Sequence, residues 1–448
     1  MSRPSIMWFR RDLRLADLPA LHAAAADGPV VPLFVVDPAF RGAGAPRQAF
    51  LREALQALDD SMNGALVYRH GHPTDVVPAL VAEVGATVVH VSRDDGPYGR
   101  RRDAAVAAAL QQAGVRLVAT SSPYAVSPGT VTKPDGAPYA VFTPFSKRWR
   151  AAGWAAPLAA PDVKWLGAPD VHCDGPPPAT SVPFTLLGAG EQRAHSQWQQ
   201  FLPKVAQYAA TRNLPAVHGT SRLSAALRWG VLHPRQLLAD LEPGEGHDTF
   251  ASELAWRDFY ADVLHHQPHT AWTNLNKAMD AMPVDTDGAA RERFQRWAEG
   301  RTGFPFVDAG MRELLATGWM HNRVRMVVAS FLVKDLHLPW QWGARHFMQH
   351  LVDGDLASNN HGWQWAAGTG TDAAPYFRVF NPIGQGERFD PDGEYVRRWV
   401  SELAAVPGKA VHDPGLLRPD SYPAPMVDHA AEREEALRRY RHTTAGSR

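Results

Sequence analysis

The residues with the most chemistry per unit length fall at 353–382, DGDLASNNHGWQWAAGTGTDAAPYFRVFNP. There two acids flank a glycine, followed by an Asn-Asn pair, two tryptophans two residues apart, a Gly/Thr loop and a Tyr-Phe-Arg. Gly, Asn, Asp and Thr at this density favour turns and helix caps over a long regular element. A large loop that carries both polar groups and indoles commonly lines a cavity. Each of these residues alone fits a capped turn packing its indoles into a core; the ensemble fits a binding site better.

Two other stretches have helical spacing. Glu253, Trp256, Arg257 and Tyr260 fall at i, i+3, i+4 and i+7 and so share one face of a helix. Trp319, Asn322, Arg323 and Met326 repeat that spacing, which predicts a second helix with the same kind of face. Either stripe alone reads equally well as helix packing with an ion pair at its rim. Together, each mixing an indole, an Arg and a carboxylate or amide, they describe a polar-edged aromatic pocket. A third segment, Thr220-Ser221-Arg222-Leu223-Ser224, follows Tyr208 and Arg212. Small hydroxyl residues with exposed N–H groups at a helix start suit a pyrophosphate, because that end of a helix is electropositive. Taken alone, the same segment is an ordinary N-cap.

The elements that must position these residues divide the chain in two. Residues 5–9, 30–37, 65–69, 87–92 and 115–120 read as buried strands, with Ala-rich helical segments such as 104–113 between them. Strand and helix alternating at this spacing predict an α/β N-terminal domain with a parallel, Rossmann-like sheet. No glycine-rich dinucleotide fingerprint follows the first strand, where Arg10-Arg11-Asp12 stands instead. Pro and Gly are dense from about 124 to 185, as expected of a connector wrapped over the surface. From 196 the helical period dominates. The expected domains are 1–125, a connector at 126–195, an all-α C-terminal domain at 196–440 and a frayed tail at 441–448.

Composition narrows the function classes. The 448 residues carry 46 basic and 46 acidic side chains, so there is no bulk basic signature and any nucleic-acid contact must be a local patch. One cysteine, Cys173, excludes an internal disulfide framework and suits a reducing compartment. No apolar leader opens the chain and no run is long enough to span a membrane, which predicts a cytoplasmic protein.

With GTSRLS at 219–224, ELAWRDFY at 253–260 and TGWMHNRVRM at 317–326, the 353–382 stretch resembles the DNA photolyase/cryptochrome flavoproteins. The likeness runs from MWFRRDLRLADLPAL near the start to the helical end and is nearest the class I photolyases of cyclobutane pyrimidine dimers. It implies an FAD-binding C-terminal domain. Tyr208 and Thr220 to Ser224 would serve the FAD phosphates. Asp353, Gly354 and Asp355 would flank the isoalloxazine and ribityl end. Arg325 would pair with Asp353 near the ring, and Asn359 would face flavin N5.

The resemblance also implies a DNA partner, with the dimer flipped out of the helix, and a monomeric protein. Trp256 and Trp365 would sandwich the dimer, and Glu253 and Asn322 would hydrogen-bond its edges. Met326 would fill the apolar side, while Arg212, Arg257, Arg323 and Arg378 would grip phosphates. Trp363 and Trp340 match the inner and middle members of an electron-transfer chain. The outer position, ten residues before Trp297, is Asp287, so Trp342 or Tyr395 must take over or photoreduction must be slow. A second, light-gathering chromophore is expected to be 8-hydroxy-5-deazaflavin in preference to a folate, from PYGRRRD at 97–103. No metal is implied.

Three rivals remain. A 6-4 photolyase uses a pocket histidine, and His321 precedes Asn322. A cryptochrome tends to carry Asp opposite flavin N5 and a long tail, against Asn359 and a short end here. The third is a flavoprotein that binds DNA without catalysis. His361 stands where the family pattern has glycine.

Overall fold

Five strands, each with Val-, Leu- or Phe-rich pleats, form one parallel sheet: β1 (Ser5–Phe9), β2 (Val30–Val36), β3 (Val67–His70), β4 (Val88–Val91) and β5 (Arg116–Ala119). The computed structural model describes residues 3–168, 170–371 and 378–445. The strand order is β3-β2-β1-β4-β5. Ile6 in the central strand pairs with Val31 on one side and Val89 on the other. Both faces of such a sheet are covered, which explains near-continuous apolar strands where an alternating pattern would mark one wet face. The covering helices are Pro19–Asp27, Ala45–Ser61, Pro73–Val84 and α1 (Pro97–Gln112). The expected strand positions and fold class hold.

By compactness the chain divides into two units. The first comprises Met1–Tyr139, Thr143–Val205 and Ser221–Pro268; the second comprises Ala140–Phe142, Ala206–Thr220 and His269–Arg448. Helical residues 221–268 join the sheet unit because buried polar groups fasten them to the loop after β1. Arg14 donates to Gly230 O (2.9 Å), and Arg235 pairs with Asp17 (2.6 Å). Helix α2 (Glu245–His266) is tied to the connector in the same unit. Its buried Asp258 accepts from Trp149 Nε1 (2.9 Å) and Val126 N (3.1 Å).

In the second unit every regular element is helical among the described residues: α3 (Gly288–Ala298), α4 (Asn322–Ser330), α5 (Trp340–His350), α6 (Leu356–Ala367) and α7 (His429–Ala445) are the ones that matter below. Helix α4 runs directly into a single π-helical turn, Phe331–Asp335. Two expectations need correction. Trp319 is not on α4: Gly318, at φ +66°, ends the preceding helix, and His321 accepts from Arg323 N to open the next, leaving Trp319 in the turn. And α7 continues to Ala445, past the expected end at 440; 446–448 lie outside the described residues. No helix among the described residues is long and apolar enough to cross a membrane.

His361 is fully buried on α6, with Nε2 3.4 Å from Thr270 Oγ1. Burial pulls its pKa down to about 4. The unfolded chain takes up this proton near 6.5, so the contribution to stability is complete above 6.5 and is lost as pH falls toward 4. Asp258 and Asp335, both pushed up to about 6 by burial, act with the opposite sign over the same range. A difference measurement separates them. In His361→Asn, unfolding free energy should fall less steeply between pH 6.5 and 4 than in the wild type. The gap should be about 1.4 kcal/mol per pH unit, read from denaturant titrations across that range.

Candidate active site

Helix α2 presents its predicted stripe as expected. Glu253, Trp256, Arg257 and Tyr260 are half-buried, while Leu254, Ala255, Asp258 and Phe259 fill the core beneath them. The Trp256 ring is braced by Tyr260 at 5.3 Å and Phe259 at 5.6 Å, so an indole face is held rigid at the helix surface. Arg257 has partners in the scaffold. Its guanidinium donates to Pro123 O and Leu227 O, both at 3.0 Å, and lies 4.4 Å from the Tyr124 ring. These contacts hold the helix against the neighbouring loop and use two of the five guanidinium N–H groups.

In the same unit, Ser221–Ser224 leads into the short helix Ser224–Trp229. Arg222 holds φ +54°, a left-handed conformation that costs a non-glycine residue about 1–3 kcal/mol and clusters at ligand sites. Ser221 O is fixed by Gln197 Nε2 at 2.7 Å.

The second unit holds the other predicted residues. Tyr208 lies 5.6 Å from the Arg212 guanidinium, and Thr220 is half-buried. Asn322 is the exposed first residue of α4; Met326 and Arg323 are half-buried one turn on or beside it. Arg323 is held by Asn213 Oδ1 at 2.8 and 3.2 Å and lies 4.3 Å from the Phe389 ring. Burial pulls its pKa down, and the charges of Arg212 and Arg388 push the same way. Three like charges sharing a partly buried place suit an anion. Arg388 was missed by sequence reading, because only the return of Arg388-Phe389 beneath α4 brings it to Arg323.

Arg325 makes the expected pair with Asp353, as two parallel bonds of 3.2 and 2.8 Å, and also donates to Met320 O at 2.8 Å. Asp355 caps α6 by accepting from Ser358 N at 3.1 Å, with Gly354 buried between the two acids. Asn359 uses both amide hydrogens, on Ala344 O (3.1 Å) and Asn360 Oδ1 (2.8 Å). That leaves its carbonyl oxygen as the group offered to an outside N–H donor, the role a reduced flavin's N5–H requires. Trp365 is half-buried on the same helix, 6.4 Å from Phe380. Arg378 is exposed; residues 372–377, including the Tyr-Phe of the motif, lie outside the described residues.

Trp363 is buried against Phe347 (5.0 Å) and Trp297 (6.1 Å), and its ring occupies the space over Gly343. A Cβ at Gly343 would stand 2.1 Å from that ring, so this glycine is required for the indole's place. Trp340 is buried and donates from Nε1 to Asn274 Oδ1 at 2.9 Å. Asp287 is the N-cap of α3, accepting from Ala290 N at 2.8 Å; a capping role accounts for the carboxylate where an indole was expected. Of the expected substitutes, Tyr395 is fully buried and donates its hydroxyl to Glu313 (2.7 Å), so it does not reach solvent. Trp342 is partly exposed and meets Phe294 at 5.6 Å, which in turn meets Trp297 at 5.6 Å.

On α1, Arg100 is exposed, and Tyr98, 39% exposed, donates its hydroxyl to Asp37 at the end of β2. This is the PYGRRRD segment. It lies in the sheet unit, whose strand order reverses between β1 and β4.

The model for DNA photolyase matches residues 5–162, and the model for the FAD binding domain of DNA photolyase matches 250–442. The deoxyribodipyrimidine photo-lyase of Vibrio cholerae is 38% identical, covering 97% of this chain and 99% of its own. Among solved structures, a class III photolyase from Agrobacterium tumefaciens superposes with a TM-score of 0.89 at 35% identity, over 99% of this chain and 98% of that one. A cryptochrome from Synechocystis also reaches 0.89, at 28% identity over 98% and 99%. Over nearly its whole length, then, this chain belongs to the DNA photolyase family.

Proposed function

We infer that the protein is a deoxyribodipyrimidine photo-lyase, which uses light to repair cyclobutane pyrimidine dimers in DNA. FAD, when bound and reduced, would supply on illumination the electron that opens the dimer and would take it back. The chain's own residues bind, orient and shield. The observation that carries the reading is the set of half-buried Glu253, Trp256, Met326 and Trp365 with the exposed Asn322, all on helices, in a chain matching photolyases over nearly its whole length.

In this reading Trp256 and Trp365 stack on the flipped dimer. Glu253 and Asn322 hydrogen-bond its edges, and Met326 fills the apolar side. Arg212, Arg257, Arg323 and Arg378 hold phosphates, with Arg388 added; such contacts position a strand without reading sequence. Tyr208 and residues 220–224 serve the FAD phosphates, Asp353 to Asp355 with Arg325 serve the ring end, and the Asn359 carbonyl accepts from N5–H. Trp363 and Trp340 relay electrons inward for photoreduction. A second chromophore of the deazaflavin class belongs with Tyr98 and its neighbours in the sheet unit. The protein acts as a monomer in the cytoplasm, in keeping with its lone cysteine.

The likeness to a cryptochrome favours one second reading, a blue-light sensor, and repair assays separate the two. Chemically reduced protein should restore a thymine-dimer oligonucleotide under blue light and not in darkness, leaving a 6-4 photoproduct strand unchanged. No restoration of either strand by flavin-loaded protein would make the sensor the better account. Trp256→Ala should weaken dimer binding by about 1–3 kcal/mol, measured as Kd in the dark.

Restoring an indole at the outer relay position gives a third test. Asp287→Trp should speed photoreduction of the oxidised flavin in the presence of a thiol. Repair by pre-reduced protein should not change, and thermal stability should fall by about 1 kcal/mol for the lost cap.

A further inference from the structure

Lys334 lies in the π-helical turn that follows α4, and only 4% of it is exposed. Buried lysines are rare because removing an ammonium from water is costly, and they persist where the charge has a partner to hold. Here Nζ donates to the backbone carbonyl of Arg378. Burial pulls the ammonium's pKa down to about 7, with Asp335 opposing and Arg378 reinforcing the drop.

Two residues on, Phe380 N donates to Ser330 Oγ at 3.5 Å, and the Phe380 ring lies 6.4 Å from Trp365. The chain from Arg378 to Phe380 is thus fastened to α4 and its π turn at both ends. The acid of the turn has its own partner. Asp335 is held by His429 Nδ1 at 2.5 Å, at the first residue of α7, while His337 and Glu432 make a second pair at 2.7 Å. The C-terminal helix therefore braces the turn from behind, and Lys334 projects from its other side.

We propose that Lys334 is a positioning residue for lesion recognition: it fixes the backbone of Arg378, and through Phe380 the pose of Trp365, without touching DNA. This rests on the reading that Arg378 and Trp365 engage the damaged strand. A buried ammonium bonded to a main-chain carbonyl suits such a role, since it sets where the segment lies whatever side chain the segment carries.

The test compares wild type, Lys334→Met, Lys334→Gln and Trp256→Ala, each loaded with FAD. Kd is measured in the dark for a thymine-dimer oligonucleotide and its undamaged counterpart. Repair yield is then measured at saturating protein under blue light. Lys334→Met should raise the dimer Kd about tenfold, the loss of one charge-assisted hydrogen bond. Lys334→Gln should lie between Lys334→Met and the wild type. Undamaged-strand Kd should rise by less than the dimer Kd, since it senses the Arg378 phosphate contact and not Trp365, while flavin content and repair yield of bound dimer should be unchanged, a split that a merely structural role would not give. Wild-type dimer affinity in the Met variant overturns the proposal. So do parallel losses of flavin and of both affinities. Should Lys334→Met fail to fold, an unchanged dimer Kd in Lys334→Gln overturns it instead. Trp256 lies outside this contact chain: if Trp256→Ala binds the dimer normally, it is the stacking reading that falls.

Discussion

The ion pair between Arg325 and Asp353 is the constraint on which the helical unit's site depends. Arg325 leaves the outer side of α4, and Asp353 stands two residues before the cap of α6. The same guanidinium also holds Met320 O in the turn before α4. One residue therefore fixes the start of the helix bearing Asn322, Arg323 and Met326 against the start of the helix bearing Asn359, Trp363 and Trp365. Asp353 is 7% exposed, so removing Arg325 leaves an uncompensated buried charge, at a cost of about 3–5 kcal/mol. The pairing also spaces the acids: with Asp353 committed to Arg325, Asp355 caps α6 through Ser358 N.

Much of this was legible in the sequence, for identifiable reasons. Strands buried on both faces are runs of Val, Ile, Leu and Phe, and five such runs at βαβ spacing allow few topologies. The α2 stripe was legible because a 22-residue helix keeps its phase over two turns. The second stripe misled at its first residue. Trp319 has the right spacing, but Gly318 and His321 stop and restart the helix around it, and a period alone does not see caps. Long-range partners were out of reach. Nothing local says that Arg257 will find Pro123 O, that Arg388 will return to Arg323, or that Lys334 will be buried beneath Arg378. Sequence gives each of them a charge and no address.

Asp287 illustrates the opposite case, a departure visible in sequence whose physical meaning needed the structure. Its carboxylate accepts from Ala290 N, one of the opening N–H groups of α3. That helix carries Phe294 and Trp297 toward Trp363 and Trp342. An indole at 287 would sacrifice the cap of the helix that supports the other aromatic rings. Helix integrity and a surface relay compete for one position, and in this chain the cap occupies it.

The same kind of competition bears on how far Asn359 distinguishes repair from sensing. Its amide hydrogens go to Ala344 O on α5 and to Asn360 Oδ1, so the side chain is an α5–α6 fastener as well as a neighbour of the flavin in the proposed reading. Aspartate at this position has no hydrogens to donate when ionised. It would leave the Ala344 carbonyl, on a residue only 4% exposed, without this donor and would set a carboxylate beside the Asn360 oxygen. The scaffold therefore demands an amide here whatever chemistry the flavin performs. It follows that Asn359 is weak evidence against a sensor when taken alone. The weight falls on Asn322, exposed at the start of α4, and on Trp365 and Met326, which are only half-buried and so keep part of their surface open.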